Sequence, residues 1–315
     1  MNKRRSFIVG IKSVKLSLKE KLFLKKYRPW GIILFSRNIR SIKQTKILTS
    51  TIRKIFNDRY YPILIDQEGG RVNRLKDIVS LDNYTSEFFG KIFNKNEEEF
   101  RLYYKLFVDK TSYLLNLMGI NINTSPVLDL RIKGSSNIIG DRSFSNNPKL
   151  VSKIGDYCIR YYHQNKIGTV IKHIPGHGLA IVDSHKYTPV VDKKINYLSK
   201  NDFFPFRKKK AFFAMTAHII FNKIDKFNTV THSNKMIKII RNKIGFKNII
   251  ISDDLSMKSL KGSLENNTIR TFKAGCTIAL HCNGNLREME IVGKNSPIAN
   301  KFLIKKTSHF YKILR

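Results

Sequence analysis

YPILIDQEGGRVNR, residues 61–74, runs a short apolar stretch straight into an acidic, glycine-rich turn. The stretch does not alternate apolar with polar residues, as a strand with one wet face does. It is continuous, as in a strand covered on both faces of a parallel sheet. Short β-prone runs recur along the chain, FIVGI (7–11), GIILF (31–35), INTSPVLDL (122–130), GTVIK (168–172), FFAMTA (212–217), NIIIS (248–252) and TIALHC (277–282), and most of them are continuous in the same way. Helical spacing fills the intervals. Leu48, Ile52, Ile55 and Phe56 share one face, and Phe100, Tyr104, Phe107, Thr111, Leu114 and Met118 share another. Met236, Ile240 and Ile244 form a third, with Ser233 near its start. Eight strand–helix units predict an α/β fold, a single-domain (β/α)8 TIM-like barrel over residues 1–315, with 285–315 as a C-terminal helical extension. The alternative is a doubly wound open sheet, but no GxGxxG follows the first strand.

Composition fits one large domain. Hydrophobic residues make up 42% of 315, enough for a substantial core. No apolar run approaches the length of a membrane span, so no membrane partner is expected. The opening MNKRRSFIVGIKSVK has a basic head but too short an apolar core for a signal peptide, which points to the cytoplasm. Cys158, Cys276 and Cys282 are odd in number and lack CxxC spacing, so they read as free thiols. The charge is extreme, with 59 Lys+Arg against 23 Asp+Glu and a net +36. It is spread along the chain, KKKAFF (208–213) being the densest cluster, and no nucleic-acid-binding motif accompanies it. It is read as solvated surface rather than as a nucleic-acid site.

The strand ends are unusually polar. YPILI meets Asp66, the fourth strand Asp129, GTVI Lys172 and His173, FFAMTA His218, IIIS Asp253 and Asp254, and TIALHC Asn283. In a barrel these ends share one rim, where chemistry sits. His173 and His177 have HExxH spacing, but Pro175-Gly176 between them breaks the helix a metal pair needs. No GxxxxGK[ST] loop is present to cradle phosphate. Acid–base chemistry remains. A glycosidase needs a nucleophile and a proton donor flanking the scissile bond. Asp253 can be the nucleophile, with Asp254 as the alternative. His185, two residues after Asp183, can move the proton, on a loop hinged by Gly176 and Gly178. His173 and His177 read as binding and loop-structuring groups. Asp129 stays open between site and scaffold. His232 and His309 read as surface.

GIILFSRN, LIDQEGGRVNRL, SPVLDL, IIGDRSFS, IKHIPGHG with VDSH, AMTAHI, ISDDLSM and AGCTIALHCN stand in order between residues 7 and 284. Together they resemble glycoside hydrolase family 3, in its single-domain bacterial β-N-acetylglucosaminidase branch. The resemblance implies a retaining exo-hydrolase that needs no metal or other cofactor. By motif position it makes Asp253 the nucleophile and His185, paired with Asp183, the general acid/base. Asp66, Arg74, Arg142, Lys172 and His173 would bind the sugar, and His218 and Met257 would line the pocket. Multi-domain β-glucosidases of the family carry SDW and a glutamate from a later domain. SDDL and the Asp-His loop fit the amino-sugar branch better. That branch releases N-acetylglucosamine from N-acetylglucosaminyl-1,6-anhydro-N-acetylmuramic acid and its peptides during cytoplasmic cell-wall recycling, so the implied partner is a muropeptide or other N-acetylglucosaminide.

The chain departs from the pattern at Leu179-Ala180, where many relatives carry Asp-Thr, and at Thr277, where AGxD would place an aspartate. Both bear on loop dynamics and local stability more than on reaction type. Two rival functions are carried: a glycoside phosphorylase, and a nucleic-acid-binding protein on a degenerate enzyme scaffold.

Overall fold

Eight parallel strands close into a barrel: β1 (Arg5–Gly10), β2 (Pro29–Leu34), β3 (Ile63–Ile65), β4 (Ile122–Asn123), β5 (Gly168–Ile174), β6 (Phe213–Thr216), β7 (Ile249–Asp254) and β8 (Ile278–His281). Each pairs with its sequence neighbour, and β8 pairs with β1, so the sheet has no open edge. The structure is a computed structural model that describes residues 3–315. Around the barrel run α1 (Leu18–Tyr27), α2 (Ile42–Phe56), α3 (Ser86–Lys95), α4 (Glu97–Leu117), α5 (Pro148–Gln164), α6 (Ile195–Lys200), α7 (Asn234–Ile239), α8 (Leu264–Ala274), α9 (Leu286–Asn295) and α10 (Lys301–Ile313). No described helix is long and apolar enough to cross a membrane.

The apolar runs become strands because both faces of the sheet are dry. Ile8, Ile33, Leu64, Val170, Met215 and Ile251 pack together in one buried cluster, inside the barrel. Their neighbours Phe7, Val9, Ile32, Leu34, Ile63 and Ile65 join a second cluster with the helices outside. Alternate residues thus serve two cores, which is why the sequence shows no period of two.

Two elements depart from the sequence reading. The fourth strand pairs regularly only at Ile122–Asn123, not over 122–130. Pro126 has no N–H to give a ladder, and pairing with β5 resumes beyond it, where the Leu128 N–H donates to the Lys172 carbonyl at 2.7 Å. The third helical face is also split, α7 passing into one π-turn, Ile240–Ile244, before Gly245 (φ 84°) ends it. His232 is buried rather than on the surface, its Nε2 3.1 Å from the Asn267 carbonyl, whereas His309 is exposed.

The two ends of the barrel differ. At the strands' N-terminal end, α10 lies across the opening. Its Leu303 and Phe310 join the barrel's inner cluster, Phe310 packs on Phe213 with ring centroids 5.2 Å apart, and Thr307 Oγ1 accepts a 2.9 Å hydrogen bond from Trp30 Nε1. The other end stays open and polar.

Candidate active site

At the C-terminal ends of the strands lies a cavity of about 250 Å³. Asp66, Arg74, Arg142, Lys172, His173, His185 and Asp253 all line it. One wall is an ionic network that begins in the turn after β3. Lys172 Nζ reaches Asp66 Oδ1 at 2.9 Å, Glu68 Oε1 at 2.6 Å and Thr124 Oγ1 at 3.0 Å. An ammonium has three donors, so Lys172 is fully engaged and faces the cavity as a fixed charge. Arg142 grips Glu68 with two hydrogen bonds, 2.8 Å from Nε and 2.9 Å from Nη2. Arg74 Nη2 stands 3.5 Å from Asp66 Oδ2, with its guanidinium 5.4 Å from the Phe35 ring centre. Burial alone would raise the Asp66 and Glu68 carboxyls. Lys172 and Arg74 at the first, and Arg142 and Lys172 at the second, outweigh it and hold both well below the usual range. The network is therefore ionised, and Asp66 keeps lone pairs for a ligand's hydroxyls.

Asp129, wholly buried at the foot of the histidine loop, organises the opposite wall. It accepts from the His173 N–H, from His173 Nδ1 at 2.6 Å and from the His177 N–H at 2.7 Å. Burial opposes its ionisation, but His173 and His177 more than compensate. An ionised carboxylate only accepts, so Nδ1 of His173 carries a proton and Nε2 is left for the cavity. His177 Nε2 lies 3.0 Å from Ser184 Oγ and ties the start of the loop to its end. Burial and the nearby His173 push its pKa down to about 4, so it is neutral at pH 7. Asp202 sits beneath this loop, against Gly176 and without a well-aligned donor. Burial and Asp129 push its pKa up to about 7.

At the far end of the loop His185 is more than half exposed, and its Nδ1 is 2.8 Å from Asp183 Oδ1. Burial works against Asp183's charge, but the His185 N–H and ring outweigh it and keep the carboxyl below its ordinary value. Asp253, the penultimate residue of β7, lines the cavity. Burial would raise its carboxyl, but His218, His173 and the Asp254 N–H together lower it. Its neighbour Asp254 does not line the cavity. Asp254 accepts from the Cys282 N–H at 3.1 Å, from the Ser256 N–H at 3.1 Å and from Ser256 Oγ at 2.7 Å, so it serves the turn between strands.

A buried carboxylate, an exposed Asp–His pair and a fixed ionic wall thus meet on the barrel rim, and residues 8–307 match the glycosyl hydrolase family 3 N-terminal domain. The chain belongs to glycoside hydrolase family 3. Its relatives include the β-hexosaminidase of Hydrogenovibrio crunogenus, 31% identical over 285 residues that cover 87% of this chain and 79% of that one. The β-hexosaminidase of Idiomarina loihiensis is 31% identical over 296 residues, 92% and 87% of the two chains. Among solved structures, NagZ from Neisseria gonorrhoeae in complex with N-trifluoroacetyl-D-glucosamine aligns at TM-score 0.88 and 29% identity, covering 98% of this chain and 90% of that one. This family 3 chain is a glycoside hydrolase of the β-N-acetylhexosaminidase type.

Not every expected residue of the family 3 site faces the cavity. His218 is buried behind Asp253, with Nδ1 2.7 Å from Thr231 Oγ1 and Nε2 3.1 Å from the Asp254 carbonyl. Both ring nitrogens are thus taken within the protein. Met257 is buried in the turn after β7 and is likewise outside the lining, because that turn folds back toward Leu260. Asp183 supports His185 from outside the cavity. Glu68 was missed. The signal was present, an acid two residues from Asp66 in DQEGG, but only the fold shows that it meets both Arg142 and Lys172.

Proposed function

We propose that this family 3 enzyme is a retaining exo-β-N-acetylglucosaminidase. One observation carries the reading: Asp253, with little hydrogen bonding of its own, lines the same cavity as the exposed His185, which Asp183 holds from outside it. Asp253 attacks the anomeric carbon as the bond to the leaving oxygen breaks, and His185 gives that oxygen its proton. A glycosyl–Asp253 ester forms. His185 then takes a proton from water, whose oxygen attacks the same carbon and frees Asp253. Two displacements return the β configuration. Asp183 orients the His185 ring and fixes a proton on Nδ1. Asp66, Arg74 and His173 meet the sugar hydroxyls, while Lys172, Glu68 and Arg142 hold that wall in place.

The substrate is N-acetylglucosaminyl-1,6-anhydro-N-acetylmuramic acid, with or without peptide, drawn from the cytoplasmic pool of recycled cell-wall fragments. The neighbouring structure with a bound N-acylated glucosamine supports an amino sugar in the cavity. Residues 285–315 act as a C-terminal helical extension of the one catalytic domain.

The test compares a chromogenic β-N-acetylglucosaminide with the matching β-glucoside, in wild type, Asp253→Asn and His185→Ala. The amino sugar should be preferred, and Asp253→Asn should abolish turnover without unfolding. His185→Ala should cripple a natural disaccharide yet spare the first step for an aryl glycoside with an acidic phenol, which needs little protonation. NMR should show the β anomer first. Release of the α anomer, or a sugar 1-phosphate as main product when phosphate is present, would end the reading.

A further inference from the structure

Beside the catalytic cavity, the barrel rim holds a second depression, of about 790 Å³, that the proposed reaction does not use. The loop after β4 is the wall between them. Ile138 and Ile139 face the cavity, whereas Asn137 and Gly140 face the basin. Arg71 pins this wall, with Nη2 donating to the Asn137 carbonyl at 2.6 Å and the Ile138 carbonyl at 2.9 Å, and Nε pairing with Asp141 at 3.0 Å.

The basin is cationic. Lys91, Lys95, Arg131 and Lys133 line it against a single carboxylate, Glu87, so three positive charges are uncompensated. Glu87 is occupied by Lys91 at 3.1 Å and by Arg131. Lys95 and Lys133 are exposed and have no ion-pair partner among the described residues. Like charges around a concavity repel one another unless an anion fills it. A chain of net +36 has lysines everywhere, but few ring a hollow that adjoins its catalytic cavity. The volume falls in the roughly 300–1,000 Å³ range of sites that hold small ligands. The basin's one aromatic, Phe144, is buried and offers no face for base stacking, which disfavours single-stranded nucleic acid. The catalytic cavity is smaller than that range and suits one sugar ring, so the rest of a substrate must lie over the rim.

We propose that this basin binds the carboxylate-bearing remote part of the substrate, an acidic peptide carried on the leaving-group sugar. The inference rests on the reading above, because an amino sugar in the cavity is what directs the remainder outward.

The test uses a Lys95→Glu/Lys133→Glu double variant and a control, Lys301→Glu/Lys305→Glu, which reverses two exposed charges at the opposite end of the barrel. At low ionic strength the basin variant should raise KM for a peptide-bearing disaccharide roughly three- to tenfold, with kcat unchanged, and the effect should fade toward about 1 M salt. Its turnover of the peptide-free disaccharide and of the chromogenic glycoside should match wild type, as should the control's on all three. An equal effect on peptide-bearing and peptide-free substrates, or in the control, would overturn the proposal. A second measurement does not depend on turnover: binding of the free acidic peptide by calorimetry at low salt. Binding lost in the basin variant and kept in the control supports the assignment, and indistinguishable variants refute it. A protein that binds the peptide in this way but turns over no N-acetylglucosaminide would refute the reaction and leave the basin standing.

Discussion

Glu68 shows how much of the site's rigidity rests on one carboxylate. It is buried between Arg142 and Lys172 and, among the described residues, is the only acid that Arg142 grips. Asp66 also reaches Lys172, so losing Glu68 strands the arginine more than the lysine. Breaking a buried ion pair from one side costs about 3–5 kcal/mol, because the remaining charge stays buried without compensation. Glu68→Gln keeps the shape and some hydrogen bonds, so its cost should fall toward the lower end, read by urea unfolding, with a raised KM. A loss below about 1 kcal/mol would mean that water replaces the carboxylate. Asp202 presents the opposite case. Its folded pKa, about 7, lies above the ordinary carboxylate value, so between roughly pH 4 and 7 the folded state holds a proton that the unfolded state has released. Stability from this group is therefore present below pH 4 and lost as pH rises through 7. Asp202→Asn should remove that loss. The stability difference between variant and wild type should move in the variant's favour from pH 4 to 7 and level off above. A pH-independent difference would show that Asp202 is ionised throughout.

The loop between β5 and α6 carries the Asp183–His185 pair that the proposed mechanism uses to move the proton, and its path depends on two glycines. Gly176 has φ 137°, and a Cβ on Gly178 would meet the Leu130 carbonyl at 2.4 Å. Gly178→Ala should therefore push the loop outward and lower turnover of a poor leaving group more than that of an aryl glycoside. An unchanged ratio of the two rates would separate loop position from proton transfer. This loop also marks how far the sequence could be read. The place of each of the eight strands was legible, because barrel strands are dry on both sides and most show it as unbroken apolar runs. Asp66, Lys172, His173 and Asp253 were legible as polar ends of those runs. The extent of the fourth strand was not, since apolar residues flank Pro126 on both sides in INTSPVLDL although regular pairing stops at Asn123. Partnerships across the barrel were not legible either. Arg142 with Glu68, or Asp129 with two histidines, joins elements 74 and 44 or more residues apart, and no local pattern encodes such a meeting. His232 misled because a lone histidine in a polar stretch looks the same whether α8 covers it or not.

At the scale of the whole molecule, chemistry and stability occupy opposite ends of the barrel. Every side chain lining the proposed catalytic cavity comes from strand ends or loops on the open face, while α10 closes the other face with apolar contacts. Phe310 is the centre of that closure. It is fully buried, packs on Phe212 and Phe213, and lies against Gly168, where even a Cβ would stand 2.6 Å from its ring. Phe310→Ala should leave a void that the β-barrel is too stiff to collapse, at a cost of about 3–5 kcal/mol. For a chain of 315 residues the thermal midpoint should drop by about 1.5 °C per kcal/mol. The cavity lining at Asp253 lies at the far end of strands that remain paired, so nothing in the void reaches it. At 25 °C, where the variant is still folded, kcat on a chromogenic β-N-acetylglucosaminide should stay within about twofold of wild type, in keeping with the barrel's division between a stabilising N-terminal face and a catalytic C-terminal one. Calorimetry and steady-state kinetics on one preparation decide it. A fall in kcat with an unmoved thermal midpoint would mean that the plug governs the site through the barrel, and the separation of the two ends would have to be abandoned.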